Sequence, residues 1–484
     1  MPQYSLDDLL LILPTVFIIG WACALLLVDL FLPAKRKNLT AFLAALGLLA
    51  ALVFTVKQVG IEADAFVGML VIDGFSIFLN ALVLLSGLVS IALAYNYLKR
   101  MGIERGEYYV LMLFSISGMM LMSMAADLIV VFLSLELLSI PLYILAAFAH
   151  PKEASEEAGM KYFLLGAFAG GFILYGIALV YGATGSTGLT QIYAAAQNGL
   201  ENPLFFLIGA ALILIGLGFK VAAVPFHMWT PDVYEGSPTP VTAFMAVGAK
   251  IGGFAALLRI FIVAFPSISD DLAPVIGGIV ALTLVVGNTA AIAQRDIKRL
   301  LAYSSISHAG FILMAFVPFG DENVQQNVAA AALFYLMAFA VTSFGSWAVV
   351  QTLEQAEGKG LALEDYAGLG KKYPALALAM LVFMLSFTGV PPTLGFAGKF
   401  FLFRTVLEGG YIGLAVLGVL TSLLSAYYYL RVVIIMYMQT GSPKVNREPL
   451  LNAVTAVSAV GTVVLFFTAT PLFRWATEAV LKLY

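Results

Sequence analysis

Charge is scarce in this chain and cysteine all but missing. Of 484 residues, 11% are Asp, Glu, Lys or Arg, three are histidine, and Cys23 is the lone cysteine. A single thiol excludes an internal disulfide and any zinc or iron–sulfur cluster built on cysteines. It leaves Cys23 as a small apolar residue expected to be buried in packing. The formal net charge is −3 and no basic tract occurs, which argues against nucleic-acid binding. No glycine-rich dinucleotide fingerprint stands on a strand-to-helix turn and no soluble domain is evident, so the sequence offers no seat for redox chemistry.

What fills the chain instead is oil. Residues are 62% hydrophobic, mean hydropathy is +0.99, and apolar runs of about 20 residues recur from end to end. This composition specifies an all-α polytopic membrane protein. Windows of about 19 residues give fourteen transmembrane spans. Their limits are 9–31, 40–58, 74–97, 109–125, 128–149, 159–182, 203–226, 239–263, 273–294, 300–318, 328–351, 375–407, 411–437 and 450–472. The N-terminal MPQYSLDD has acids where a secretory signal would carry positive charge, so the first apolar segment is expected to remain as a helix.

Lysine and arginine set the orientation. With the N-terminus outside, fifteen basic residues fall in inner loops, including Lys35, Lys99, Lys298 and Lys371, against Lys57, Arg474 and Lys482 outside. That bias predicts both termini on the outer side and an even number of helices.

Seven basic residues remain inside spans. Lys161, Arg259, Arg404 and Arg431 lie near helix ends, where long stems snorkel to the interface. Lys220, Lys250 and Lys399 lie deeper. Lys250 is eleven residues past the start of the eighth span, close to the middle of a core about 30 Å thick. Glu136, in LIVVFLSLELLSIPLYIL, is the one acid at that depth. His308 is also central, and His227 is near the inner end of the seventh span. A charge at the bilayer centre costs about 2.5–3.5 kcal/mol on insertion scales, so it persists where it faces protein or water and is matched. One Glu–Lys pair would lock two helices. Three lysines, a glutamate and a histidine exceed what a lock needs, and a chain of protonatable groups explains them better.

Backbone breaks point to the same depth. Pro225 removes a hydrogen bond beside Lys220, with Gly216 and Gly218 in the turn before it, so the seventh helix should be interrupted there. The comparable place is LSFTGVPPTLGFAGKFFLF in the twelfth, where Gly389, Pro391, Pro392 and Gly395 precede Lys399. Broken helices in membranes line cavities, because their freed carbonyls need polar partners. Pro225 and Pro392 each fall in the fourth helix of a group of five, and five is odd, so the second group would enter from the opposite face as an inverted repeat. The expected organisation is a three-helix segment (1–108), a first five-helix repeat (109–263, helices four to eight), an inverted second repeat (273–438, helices nine to thirteen) and a C-terminal helix (439–484).

These residues also carry a family resemblance. EAGMKYFLLGAFAGGFILYGIALVYGATGSTGL (157–189), FKVAAVPFHMWTPDVYEGSPTPVTAFMAVGAK (219–250) and GNTAAIAQRDIKRLLAYSSISHAGF (287–311) closely resemble the subunit N family of bacterial NADH-quinone oxidoreductase, respiratory complex I, relatives of mitochondrial ND subunit 2. The resemblance implies that Glu136, Lys220, Lys250 and Lys399 are the principal proton-translocating residues, and that Lys161, His227, Lys298 and His308 belong to the central axis or its inner entrance. It implies a bacterial inner-membrane location, membrane neighbours including subunits K and M, and a peripheral arm. Flavin mononucleotide, iron–sulfur clusters and quinone are expected in the partner subunits, and no cofactor here. The alternative within the resemblance is a free-standing or Mrp-like cation/proton antiporter subunit.

On this reading Glu136 holds Lys220 protonated by charge pairing, and the proton moves on when a neighbouring subunit draws Glu136 away. Lys250 and His308 relay it laterally and Lys399 gates release. Other motifs have plainer readings. Glu157 and Lys161, at i and i+4, make an ordinary helix-start pair as readily as a proton path. AYYYLR (426–431) reads as an interfacial aromatic anchor. Asp232 and Glu235 sit in a turn-rich connector, and GAFAGG reads as close helix packing.

Overall fold

The computed structural model describes residues 6–33, 36–356 and 358–480; Lys35 and Lys482 of the charge census lie outside them. Every one of the fourteen apolar segments is helical, since backbone groups in a membrane must be satisfied within the chain itself. Numbering only these segments, the helices are α1 (Leu13–Phe31), α2 (Asn38–Lys57), α3 (Gly74–Arg100), α4 (Glu107–Met124), α5 (Leu128–Ala146), α6 (Glu153–Thr184) and α7 (Pro203–Val221). They continue as α8 (Thr239–Ala264), α9 (Ser269–Ile292), α10 (Ile297–Phe316), α11 (Gln325–Leu353), α12, α13 (Ile412–Met438) and α14 (Pro449–Phe467). Helix α12 comes in two pieces, Pro374–Thr388 and Leu394–Glu408. Twelve of these are long and apolar enough to cross a membrane on their own. The other two are α12, because it is split, and α10, which carries Lys298, Arg299, Ser304, Ser305 and Ser307 along its 20 residues.

Local chemistry accounts for the ends. Prolines open α7, α14 and the first piece of α12, where a missing N–H is harmless. At α3, Ser76 N–H donates to Asp73 at 2.8 Å and Asp73 N–H donates back to the Ser76 hydroxyl at 3.0 Å, a reciprocal cap. Helix α6 starts at Glu153, six residues ahead of the expected 159, with Glu153 and Glu156 in its first turn where negative charge is favoured. Strands β1 (Ala63–Ala65) and β2 (Leu70–Ile72) form the described hairpin, pairing antiparallel.

Two local motifs recur at nearly constant spacing. Asp127 caps α5 and Asp296 caps α10. Beside the first cap, Leu128 N–H donates to Thr187 O and Leu189 N–H to Ala126 O. Beside the second, Ile297 N–H donates to Leu361 O and Leu363 N–H to Arg295 O. Each bridge ties the start of one helix to the loop that ends the next. The second motif is the stop at each helix break, described below.

Helix α8 lies at the centre. Its apolar window is buried throughout and that of α11 to 89%, whereas that of α14 is buried to only 22%. A helix hydrophobic on every side belongs inside the bundle, and this one puts Lys250 there. A π-helical turn, Met245–Ala249, immediately precedes Lys250 and was not legible as a break in the apolar pattern.

Two expectations fail. Cys23 is exposed on α1, not buried; apolar composition alone does not separate a helix face that meets lipid from one that meets protein. Arg259 does not snorkel. Its guanidinium donates to both carboxylate oxygens of Asp73 at 2.9 Å and to Ser123 O at 3.0 Å, so it pins α8 to the start of α3 and the end of α4. Arg431 likewise donates to the terminal carbonyls Ile292 O and Gln294 O. Arg404, paired with Glu408 at 2.7 Å, is the exposed one.

Removing one partner of a buried pair leaves an uncompensated charge. Arg259→Ala is therefore expected to destabilise the folded chain by roughly 3 kcal/mol, and Arg404→Ala by less than about 1 kcal/mol. Parallel denaturant titrations of the two variants in detergent measure the difference.

Candidate functional site

The two helix breaks create the site. Helix α7 does not stop at Pro225 but three residues earlier, at Ala222, whose φ of +64° is left-handed. Ala222 N–H donates to Phe219 O at 3.1 Å and Ala223 N–H to Gly218 O at 2.8 Å. At the second break Gly389, with φ +89°, donates to Ser386 O at 3.0 Å and Val390 N–H to Leu385 O at 3.0 Å. Both are left-handed caps of the same hydrogen-bond pattern, and Ala222 and Gly389 are separated by the same 167 residues as Pro225 and Pro392. Neighbours satisfy what the first break frees: Val224 N–H donates to the Thr283 hydroxyl at 2.9 Å, and the Trp229 indole to Phe219 O at 3.0 Å.

Lys220 sits in the last turn before the first break, buried. Its ammonium donates to the Ser139 hydroxyl at 2.7 Å and the Tyr162 hydroxyl at 3.3 Å. The direct pairing with Glu136 that the sequence suggested is not made. Glu136 precedes Ser139 by one turn of α5, and its half-buried carboxylate turns toward α6, where a Cβ built on Gly170 would come within 3.0 Å of Oε1. The small-residue run on α6 thus makes room for an acid as well as for packing.

Lys250 belongs to a larger cluster. Its ammonium donates to the Ser305 hydroxyl at 2.6 Å and to the Ser305 carbonyl. On the adjacent residue, the Ser304 hydroxyl is hydrogen-bonded to the Tyr429 hydroxyl. The Tyr429 hydroxyl lies 3.1 Å from His308 Nε2, and His308 Nδ1 lies 2.6 Å from the Tyr335 hydroxyl. Lys250 and His308 are therefore brought onto one polar face of α10, with α11 and α13 closing around it. Tyr428 extends it, donating to Asn288 at 3.0 Å.

Lys399 follows its proline where Lys220 precedes its own, yet it reaches back across the break. Its ammonium donates to Thr388 O, the last residue of the first piece of α12, at 3.0 Å, and to the Ser422 hydroxyl at 2.7 Å. It also lies 4.5 Å from the centre of the Phe311 ring. Both lysines thus serve the C-terminal end of a first half-helix, where the helix dipole favours a cation.

The secondary residues gather toward the face that carries the lysine-rich loops. Lys161 pairs with Glu157 and Asp232, each at 2.6 Å; Arg299 pairs with Asp232 at 2.8 Å and with Glu235 at 2.7 Å. Asp232 and Glu235 stand on a short helix, Trp229–Gly236, not a bare connector. Lys298 is buried and donates to Glu235 O at 2.9 Å and Ser237 O at 2.6 Å. His227 is half-buried, in the turn between α7 and the Trp229–Gly236 helix. Within residues 227–237, His227 Nδ1 and the hydroxyls of Thr230, Tyr234 and Ser237 are buried without a hydrogen-bond partner among the described residues. Buried polar atoms of this kind are normally satisfied by ordered water.

Several groups escaped the sequence reading. Tyr428 and Tyr429 looked like interfacial anchors but are buried, while Tyr427 beside them is 60% exposed; a triple-Tyr run does not say which ring faces inward. Glu354 is buried at the end of α11, accepting from the Tyr97 hydroxyl at 3.1 Å and the Thr239 hydroxyl at 2.5 Å. The serine pair before His308 was a signal available in the sequence.

Residues 125–425 match the family model described as NADH:quinone oxidoreductase/Mrp antiporter, TM. The chain is 46% identical over 482 residues to NADH-quinone oxidoreductase subunit N of Chloroflexus aggregans, covering 98% of each, and 45% identical to NADH-quinone oxidoreductase subunit N 2 of Roseiflexus castenholzii, covering 96% of this chain and 95% of that one. Among solved structures it is similar to a chain of respiratory complex I from Thermus thermophilus, with TM-score 0.81, 37% identity and 95% and 98% coverage. A chain of the Mrp complex from Dietzia shares the fold with TM-score 0.85 at 21% identity, covering 98% of this chain and 97% of that one.

The caps give a paired prediction. Gly389→Ala imposes a side chain at positive φ, with its Cβ 2.9 Å from Lys399 Cδ, and should destabilise by about 1–2 kcal/mol. Ala222→Gly should do the reverse, by up to about 1 kcal/mol. Denaturant midpoints moving in opposite directions would bear this out.

Proposed function

The chain belongs to the NADH:quinone oxidoreductase/Mrp antiporter transmembrane family, in its subunit N branch, and on that premise we propose that it translocates protons, coupled to electron transfer from NADH to quinone. It is a non-redox subunit in this reading. Flavin mononucleotide, iron–sulfur clusters and the quinone site lie in partner subunits, with subunits K and M as membrane neighbours and a peripheral arm beyond them. The chain lies in a bacterial inner membrane with both termini on the outer side, and residues 109–263 and 273–438 are inverted repeats. The matching caps, bridges and breaks support the repeat.

One observation carries the reading: Lys220, Lys250, Lys399 and His308 are all buried in the bundle interior, each hydrogen-bonded to neutral oxygens on neighbouring helices. In the proposed path a proton enters from the lysine-rich face past Lys161, Lys298 and His227, where the unpartnered atoms of 227–237 favour water. It reaches Lys220, whose charge Glu136 stabilises at a distance. It then passes to Lys250 and through Ser305, Ser304, Tyr429 and His308 toward Lys399, which releases it to the other side. Carrying a charge against 100 mV takes about 2.3 kcal/mol, so the drive comes from the partner subunits.

Glu136→Gln and Lys220→Ala in the assembled complex should each lower proton pumping and NADH:quinone reductase turnover by roughly 10-fold or more, a modest share of what a proton-transfer group contributes. Unchanged pumping in both variants overturns the proposal. Ion exchange by the purified chain in vesicles without redox partners would favour a free-standing antiporter. If Glu136→Gln blocks assembly rather than turnover, the charges are helix locks.

A further inference from the structure

His308 extends from α10 with both ring nitrogens engaged. Nδ1 lies 2.6 Å from the Tyr335 hydroxyl on α11, and Nε2 lies 3.1 Å from the Tyr429 hydroxyl on α13. The Tyr429 hydroxyl meets the Ser304 hydroxyl in turn. The imidazole is also caged. Phe339 on α11 and Phe387 on the first piece of α12 each place a ring centre 5.1 Å from its own, so turning the imidazole over would displace both aromatics.

These contacts determine which nitrogen carries the proton. His308 is buried and touches no carboxylate among the described residues, so the resting ring is neutral, with one N–H and one bare nitrogen. The Tyr335 hydroxyl is buried as well, and Nδ1 is its one hydrogen-bond partner among the described residues. If Nδ1–H were the donor, the phenol proton would be left without an acceptor, at the end of a rigid ring that cannot swing it back to the backbone. Tyr335 therefore donates to Nδ1. Nε2 then carries the proton and donates to Tyr429, and Tyr429 donates to Ser304. The proton left over falls on Ser304, whose hydroxyl can turn toward carbonyls of its own helix. The distances agree with this order: 2.6 Å suits a hydroxyl donor and 3.1 Å an N–H donor.

We propose that Tyr335 is a positioning residue of the proton relay, fixing His308 as its Nε2–H tautomer. This rests on the proton path given above and adds the order of its steps. A proton reaching Ser304 from the Lys250 side sends the Ser304 proton to Tyr429, the Tyr429 proton to Nε2, the Nδ1 proton to Tyr335 and the Tyr335 proton onward toward Lys399. No charge stays behind, and every O–H and N–H then points back the way the proton came. That is the arrangement the contacts specify, so the resting relay is the state left by one passage. The next passage waits on Tyr335 turning its hydroxyl away from Nδ1. Gly398 puts Tyr335 at the Lys399 end of the relay: a Cβ there would fall 2.7 Å from Tyr335 Cδ2, so only glycine lets the second piece of α12 lie this close to the ring.

The test uses the assembled complex carrying histidine labelled with ¹³C and ¹⁵N in the ring. Subtracting the solid-state NMR spectrum of the His308→Gln complex isolates the His308 ring, and carbon–nitrogen correlations separate a protonated nitrogen from a bare one. In the wild type Nε2 is expected to be protonated and Nδ1 bare. Tyr335→Phe keeps the ring and loses the hydroxyl. With its own His308→Gln double variant subtracted, it should show the Nδ1–H form as well, and its proton pumping and NADH:quinone turnover should fall roughly 10-fold. A protonated Nδ1 in the wild type overturns the proposal, as does a Tyr335→Phe spectrum that matches the wild type. Normal pumping by Tyr335→Phe while His308→Gln pumps poorly overturns the role of Tyr335 alone. Normal pumping by His308→Gln overturns the proton path itself, and this proposal with it. If Tyr335→Phe does not assemble, the wild-type spectrum decides.

Discussion

An ammonium group inside a helical bundle must be met by oxygen, and here that oxygen is neutral. Lys220 is held by a serine and a tyrosine, Lys250 by the hydroxyl and carbonyl of one serine, Lys399 by a carbonyl and a serine, and Lys298 by two carbonyls. None of the four touches a carboxylate among the described residues. Contact with Asp or Glu would hold each proton tightly at one point. Dipolar acceptors meet the charge without bringing the full opposite charge that a carboxylate would.

The architecture supplies one of those acceptors by breaking a helix that could have been continuous. Each break ends a half-helix in a left-handed cap, and at the second break the freed Thr388 carbonyl becomes a ligand for Lys399. The π turn before Lys250 adds a further disturbance in the most deeply buried helix. Helix α10 stays intact and contributes side chains instead, with Ser304 and Ser305 linking Lys250 to Tyr429 and His308. Arg259 and Asp73 brace α8 near one end, so that its central lysine is presented from a fixed element.

The helical segments, the two breaks and the burial of Lys220, Lys250, Lys399 and His308 were legible in the sequence, because hydropathy, proline and rare charge act locally along the chain. What was not legible depends on rotation and on neighbours. Hydropathy could not tell that Cys23 faces outward, that Tyr428 and Tyr429 turn in while Tyr427 turns out, or that Arg259 finds Asp73. The expected contact between Glu136 and Lys220 failed for the same reason: equal depth does not place two side chains on facing surfaces, and Ser139, one turn along, takes the ammonium. The mismatch between the two lysines and their prolines was resolved only in three dimensions, where both serve the same end of a half-helix.

The half-buried carboxylate at Glu136 has a further meaning for how such a chain comes to exist. Its flank also carries Leu133 and Ile140, 60% and 50% exposed, so an acid opens sideways among greasy neighbours. Left alone in lipid, an ionised group at that depth would be penalised by a few kcal/mol, and the simplest relief is a second polypeptide laid against that side. The solitary chain is in this sense electrically unfinished on the side of Glu136.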